Sequence, residues 1–300
     1  PESRANAVAT YLAFAVSKAA DRNTSLCSWE SKMDRMRNTF GRQALPMVWD
    51  YAETNPFAGA GGDFLGCVVS LCEVLDKLPR GLSGKVFQRD ASSNSPAKSG
   101  VVVSTDPPYY DNIGYADLSD FFYAWLRPVL ADLYPHLVET MQVPKAAELV
   151  ATPYRFGSKE AASEHFETGF ARTFRDLRDN RHHADYPLTI YYAFKQSESD
   201  EVEDEEESAV ASTGWETMLE GVLRAGLSVD GTWPMRSELQ TRNIGRGTNA
   251  LASSIVLVCR TRSESAPITT RKDFLASLKR ELPPALRALQ QGNIAPVDLA

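Results

Sequence analysis

Three hundred residues, 43% of them apolar and 24% charged, can bury one large core or two modest ones, and this composition excludes disorder over the whole length. The formal charge of −7 is set by one run, Glu198, Asp200, Glu201, Glu203, Asp204, Glu205, Glu206 and Glu207; removing these eight from the 39 acids leaves 31 against 32 bases, a near balance. No window approaches the roughly eighteen uninterrupted apolar residues of a membrane span, and no basic-then-apolar leader opens the chain, so the expected location is cytoplasmic with no membrane partner.

In chain order, the first fifty residues read as helical. Ala5–Ala20 is alanine-rich with apolar residues at helical spacing, and Ser31–Ala44 carries the Arg, Lys and Met that favour helix. The stretch "ETNPFAGAGGDF", Glu53–Phe64, interrupts that pattern, and "FLGCVVSLCEVLDKL", Phe64–Leu78, resumes it up to Pro79 and Gly81. From there strands and helices alternate. "GKVFQRDA" reads as a short strand ending in Asp90, and Val101–Thr105, "VVVST", as a buried parallel strand.

Leu118, Phe121, Phe122, Trp125, Leu126, Val129, Leu130 and Leu133 share one face of a helix, with Asp117 as N-cap and Pro128 as a kink; this aromatic stripe reads as core. A helix over Ala161–Arg178 leads to the strand "YPLTIYYAFKQ". The acidic run reads as a solvated, disordered loop near residues 197–211. Trp215–Ala225 is a helix stopped by Gly226, "LSVDGTWPM" and "SSIVLVCRTR" are strands, and Asp273–Gln291 is a last amphipathic helix. This order is that of the second half of a doubly wound α/β sheet with a closing antiparallel pair. The expected division is a mainly helical segment over residues 1–80 and an α/β domain over 81–300.

Cys27, Cys67, Cys72 and Cys259 lie too far apart for a zinc-type pair and read as buried thiols. His136, His165, His182 and His183 have no third ligand at metal spacing, so no metal is expected. Pro1 at the start and "NIAPVDLA" at the end suggest a segment of a longer protein whose upstream part is missing.

The chemistry lies in Asp106-Pro107-Pro108-Tyr109. It follows directly on the strand Val101–Thr105, at the carboxyl edge where open α/β sheets bind ligands. Two prolines fix φ and donate no N–H, so a rigid turn can point carbonyls into a site. An exocyclic amine on adenine is a weak nucleophile because its lone pair is delocalised into the ring. A carboxylate and the Pro107 carbonyl can each accept one amino hydrogen, aiming that lone pair at an electrophilic methyl. Tyr109 offers a flat face for a base extruded from the duplex. A plain Pro-Pro turn after a strand is the bland alternative for four residues.

The strand-plus-DPPY pattern resembles the amino-methyltransferases that use S-adenosylmethionine (SAM), and its Asp is similar to the N6-adenine DNA methylases. "STDPPYYDNIGYADLSDFFYAWLR", with "RNTFGRQALPMVWDYAETNPF", "VPKAAELVATPYR", "STGWETMLEGVLRAG", "GTWPMRSE" and "GTNALASSIVLVCR", resembles the C-terminal part of the large bacterial adenine-specific DNA methylases with a zinc-ribbon insertion, from about Tyr11 to the end. The resemblance implies a Rossmann-like SAM-dependent methyltransferase sheet, its C-terminal half, with SAM as cofactor and DNA as partner. It also implies a site-specific adenine methyltransferase in restriction-modification or phage defence, with Asp106, Pro107, Pro108 and Tyr109 acting on the methyl acceptor. In the family the SAM glycine loop and the zinc ribbon lie upstream of the matched region.

Further residues follow from these readings. Asp90 stands where related folds place an acid against the SAM adenine, or is a simple loop acid. Asn55, Phe57 and Gly59 bind cofactor if the glycine stretch is a SAM loop; "ALPMVWDYAET" before it is a poor buried strand, which favours a turn between helices. Tyr110, Asp111, Asn112 and Tyr115 contact the flipped base or its backbone, or shape the turn. Arg236, Arg242 and Arg246, with Lys145 and Arg155, are candidates for DNA phosphates, or are solvated. Two rival readings stay open: methylation of another planar amine (RNA, cytosine N4, a protein glutamine), and a non-catalytic DNA-binding module of methylase descent.

Overall fold

The computed structural model describes residues 2–41, 44–79, 81, 84–93, 100–110, 113–192, 205–236 and 253–291. The chain forms two compact units, Pro1–Arg89 with Gly114–Glu148, and Asp90–Ile113 with Leu149–Ala300. The helix after the motif belongs to the first unit.

In the first unit, α1 (Glu2–Ala20) and α2 (Phe64–Lys77) meet through small side chains: Ala15, Ala19 and Cys67 are buried, with Phe64, Val68 and Leu71 around them. Where Ser31–Ala44 was expected to be helical, a short antiparallel hairpin forms instead, β1 (Trp29–Glu30) against β2 (Arg35–Met36). Helix propensity is a weak prior, and turn and longer-range polar bonding accompany the hairpin here. Asp34 takes a left-handed φ of 46° in the turn, Arg35 pairs with Glu30 at 2.8 Å, and the Thr39 hydroxyl donates to the Asp21 carbonyl at 2.9 Å.

The motif's following helix, α3 (Tyr115–Leu130), starts after Gly114, so Asp117 lies in its first turn rather than capping it. Phe121 and Phe122 pack on Phe40, each with ring centroids at 5.3 Å. Contrary to the expectation of a core stripe, none of its residues is buried: Leu118, Phe121, Phe122, Leu126, Leu130 and Leu133 are half-buried, and Trp125 and Val129 are exposed, Trp125 by 47%.

The second unit is a four-stranded mixed sheet of order β3-β4-β6-β5, formed by β3 (Ser104–Thr105), β4 (Leu188–Tyr192), β5 (Leu227–Arg236) and β6 (Ser253–Thr261). β3 and β4 are parallel, while β6 runs antiparallel to both β4 and β5. The chain is therefore a mixed α/β protein. After the single turn α4 (Pro153–Phe156), α5 (Lys159–Asp176) begins at Ser158, whose hydroxyl accepts from the Ala161 N–H at 3.1 Å. Buried Ala162, Phe166, Phe170 and Phe174 repeat at helical spacing along α5 and form one stripe.

That stripe and Met218 and Val222 of α6 (Glu205–Arg224) cover Leu188, Ile190 and Tyr192, the alternate residues of β4, together with Leu227, Leu257 and Cys259. Each fully buried side chain of this size contributes about 1.5–3 kcal/mol. α6 ends as expected before Gly226, which has φ 79°. The last helix, α7, spans Arg271–Gln291.

Three expectations change. "GKVFQRDA" is not a strand: residues 84–90 are irregular and Val86 is 98% exposed, a β-forming sequence without a partner strand. Val101–Thr105 is not buried on both faces. Among the described residues β3 lies at the sheet edge with β4 as its neighbour, Val102 is 63% exposed, and Val101 makes a single bridge to His182. A continuous apolar run suggests a central strand, but pairing decides which residues are covered. Finally, α6 starts at Glu205, so the tail of the acidic run is helical, consistent with the good helix propensity of glutamate; residues 193–204 lie outside the described residues.

Candidate functional site

The motif leaves the carboxyl end of β3, with Ser104 opposite Thr189 and Thr105 opposite Ile190. Asp106 is exposed; Pro107, Pro108 and Tyr109 are half-buried. The Tyr109 hydroxyl donates to Asp106 Oδ1 at 3.0 Å, closing a small ring of hydrogen bonding within the motif. A carboxylate offers about four lone-pair sites. Among the described residues no other hydrogen bond reaches Asp106, so capacity remains to accept from a ligand. On its other side Tyr109 meets Tyr192 at a centroid distance of 5.4 Å and 81°, edge to face.

Tyr110 turns the opposite way. Its φ of 26° is unusual for an aromatic residue, and the strain, about 1–3 kcal/mol, is offset by what the turn places inside. The Tyr110 ring packs on Phe166 at 5.1 Å, its hydroxyl lies 3.2 Å from Ser163 Oγ, and its carbonyl accepts from the Ala151 N–H at 2.8 Å. At 8% exposure Tyr110 is part of the core. Of its two readings, contact to DNA or shaping of the turn, the buried ring favours the second.

Asp90 is exposed, and its carboxylate accepts from both the N–H and the hydroxyl of Ser92, each at 2.8 Å. The Ser92 hydroxyl bond, then its backbone bond, hold the Asp90 carboxyl below the usual carboxylate range. Ser92 is in turn bonded by Arg172 of α5 at 2.8 Å. The carboxylate thus forms an Asx-type turn, engaged in local structure.

In the first unit, the glycine stretch is also committed to local bonding. Asp63 caps α2: one oxygen accepts from the Gly66 N–H at 2.8 Å and the other from the Gly59 N–H at 3.1 Å. Asn55 Oδ1 accepts from the Phe57 N–H at 3.0 Å, and Phe57 is 69% exposed. No strand leads into this loop among residues 45–63. A SAM glycine loop needs a strand before it and free N–H groups on it; no strand leads in, and the Phe57 and Gly59 N–H groups are already taken, so the stretch does not fit the cofactor in that manner.

Of the remaining candidates, Lys145 is bound to Asp120 at 2.6 Å and to the Val143 carbonyl at 3.1 Å, which holds it within its own unit. This bond from Lys145 keeps the Asp120 carboxyl low. Arg155 sits over the Tyr154 ring at 5.8 Å, and Tyr115 opens α3. Arg236 ends β5 opposite Ser253. Asp111, Asn112, Arg242 and Arg246 lie outside the described residues.

Cys27, Cys67 and Cys259 are buried, whereas Cys72 is exposed, contrary to the expectation of four buried thiols. Burial pushes the Cys259 thiol up to about 12. Among the described residues no group of three or more His, Cys, Asp or Glu is placed to hold a metal ion, and no helix is long and apolar enough to cross a membrane.

Sequence reading missed Tyr192, the aromatic partner of Tyr109. The available signal was its position: it ends the strand beside the motif's own, at the edge where ligands bind. No protein-family model, curated protein or solved structure matches the chain.

Proposed function

We propose that the chain carries the acceptor side of a SAM-dependent N6-adenine DNA methyltransferase. The observation that carries this reading is the exposed Asp106 carboxylate at the carboxyl end of a parallel strand, joined by a hydrogen bond to an aromatic ring three residues on. The mixed sheet with its inserted antiparallel strand agrees with the second half of a doubly wound methyltransferase sheet.

Asp106 accepts one hydrogen of the adenine amine and the Pro107 carbonyl accepts the other. Together they localise the nitrogen lone pair and aim it at the donor. Tyr109 stacks on the extruded base while its hydroxyl stays on Asp106, so platform and acceptor move as one piece. SAM supplies an electrophilic methyl group. The Asp63-capped turn does not hold it, and the family resemblance assigns that task to sequence upstream. DNA marking in restriction-modification or phage defence is the biological setting the resemblance offers.

The test is transfer of labelled methyl from SAM to unmethylated DNA by the full-length protein, followed by nucleoside analysis. N6-methyladenine is the expected product. Label in cytosine, RNA or protein glutamine would replace this reading with another amine, and DNA binding without label would favour the non-catalytic module.

A further inference from the structure

We infer that Tyr192 is a positioning residue that sets the ring of Tyr109 for a planar base; the inference rests on the reading of Tyr109 as the base platform. The parallel register places Thr105 opposite Ile190, so two residues further on Tyr192 emerges at the same sheet edge as the motif. Its ring is 1% exposed and belongs to the core. Behind it, the Trp215 ring lies at 5.8 Å and 40°, and the Tyr192 hydroxyl donates to the Gly214 carbonyl at 3.4 Å. Tyr192 is therefore anchored to α6 as well as to β4.

Tyr109 is held at two ends, its hydroxyl on Asp106 and its ring against Tyr192 at 81°. Edge-to-face pairs prefer this geometry over a parallel sandwich. A ring fixed in this way loses little rotamer freedom when a base stacks on it, so the ordering cost falls on folding rather than on binding. The ring of Tyr192 carries the effect, since its hydroxyl bond is long and directed away towards α6.

The test places 3-fluorotyrosine at position 109 of the full-length protein. The fluorine spectrum and the affinity for adenosine monophosphate are then recorded for wild type, Tyr192→Phe and Tyr192→Met. Methionine fills most of the volume without a ring, which keeps the core occupied. Tyr192→Phe is expected to keep the wild-type signal and affinity. Tyr192→Met should shift the signal towards that of free fluorotyrosine and weaken the nucleotide about tenfold, the scale of one aromatic pair.

A Tyr192→Met protein that melts earlier yet keeps the wild-type signal and affinity would reduce Tyr192 to packing and overturn the inference. Tyr192→Phe falling as far as Tyr192→Met would overturn it too, because the ring would then not be the active part. Failure of methyl transfer with these signals intact would count against the methylase reading alone.

Discussion

Two turns in this protein are each built around an aspartate, and they use it in opposite ways. In the turn Asn55–Asp63, Asp63 is 6% exposed and both its oxygens are taken by backbone N–H groups of Gly59 and Gly66. In the turn Asp106–Tyr110, the aspartate is exposed and among the described residues accepts one hydrogen bond, from a side chain that is itself a candidate ligand platform. Glycine content points to the first turn as the ligand loop, whereas donor and acceptor bookkeeping points to the second. A buried carboxylate with both oxygens engaged by its own backbone stabilises structure; an exposed one with spare lone pairs at a sheet's carboxyl edge can act on a ligand.

Substitutions should separate the two turns cleanly. After Asp106 itself, the largest effect is expected at Tyr109→Ala, which removes the stacking face. Transfer to DNA should fall by about tenfold to a hundredfold, the scale of 1–3 kcal/mol for base stacking, while stability falls only by about 0.5–1.5 kcal/mol, the scale of the lost aromatic pair with Tyr192. Loss of stability in step with activity would erase the distinction.

Next is Gly62→Ala. Gly62 has φ 95°, and an added Cβ would lie 2.6 Å from Arg22 Cδ. The backbone cost alone is about 1–2 kcal/mol, and the clash adds to it unless Arg22 moves. Gly59→Ala pays the same kind of backbone strain at φ 73° with open space around it. Denaturant titration should therefore rank Gly62→Ala below Gly59→Ala in stability, and the reverse order would show that Arg22 does not pack there. Asp63→Ala should cost about 1 kcal/mol, as for other N-caps, and leave methyl transfer unchanged. A loss of transfer at wild-type stability would return the glycine turn to the list of cofactor contacts.

The smallest effect is chemical. In the folded protein a thiol reagent should modify exposed Cys72 quickly and spare buried Cys27, Cys67 and Cys259. Asp63→Ala should speed modification of Cys67, which lies in the first turn of α2 with its thiol pushed up by burial. Unchanged protection of Cys67 would mean that the cap does not control that turn.

Much of this was legible in the sequence. The phenylalanine stripe of α5, the alternation of β4 and the stop at Gly226 were readable because periodicity and backbone chemistry are local. The hairpin at Trp29–Met36 was not, since Thr39 and Asp21 decide it through bonds across many residues. Likewise Val101–Val103 looked central because hydrophobicity records what a strand prefers, while its edge position depends on pairing. At the candidate site, Asp106 and Tyr109 were singled out by the DPPY motif that follows a strand. The two readings of Tyr110 could not be separated because a side chain's direction depends on φ, and 26° at a tyrosine has no sequence signature. Tyr192 needed the register between β3 and β4 to be brought beside the motif.

The central claim is that the Asp106 carboxylate orients an adenine amine, and one measurement reaches it most directly. Full-length wild type and Asp106→Ala are compared for labelled methyl transfer from SAM to unmethylated DNA, with DNA binding measured on the same preparations. The account predicts a fall of about a hundredfold or more, the scale of removing a preorganised transition-state contact, with DNA binding and melting temperature unchanged because Asp106 is exposed. Equal transfer by wild type and Asp106→Ala would contradict it.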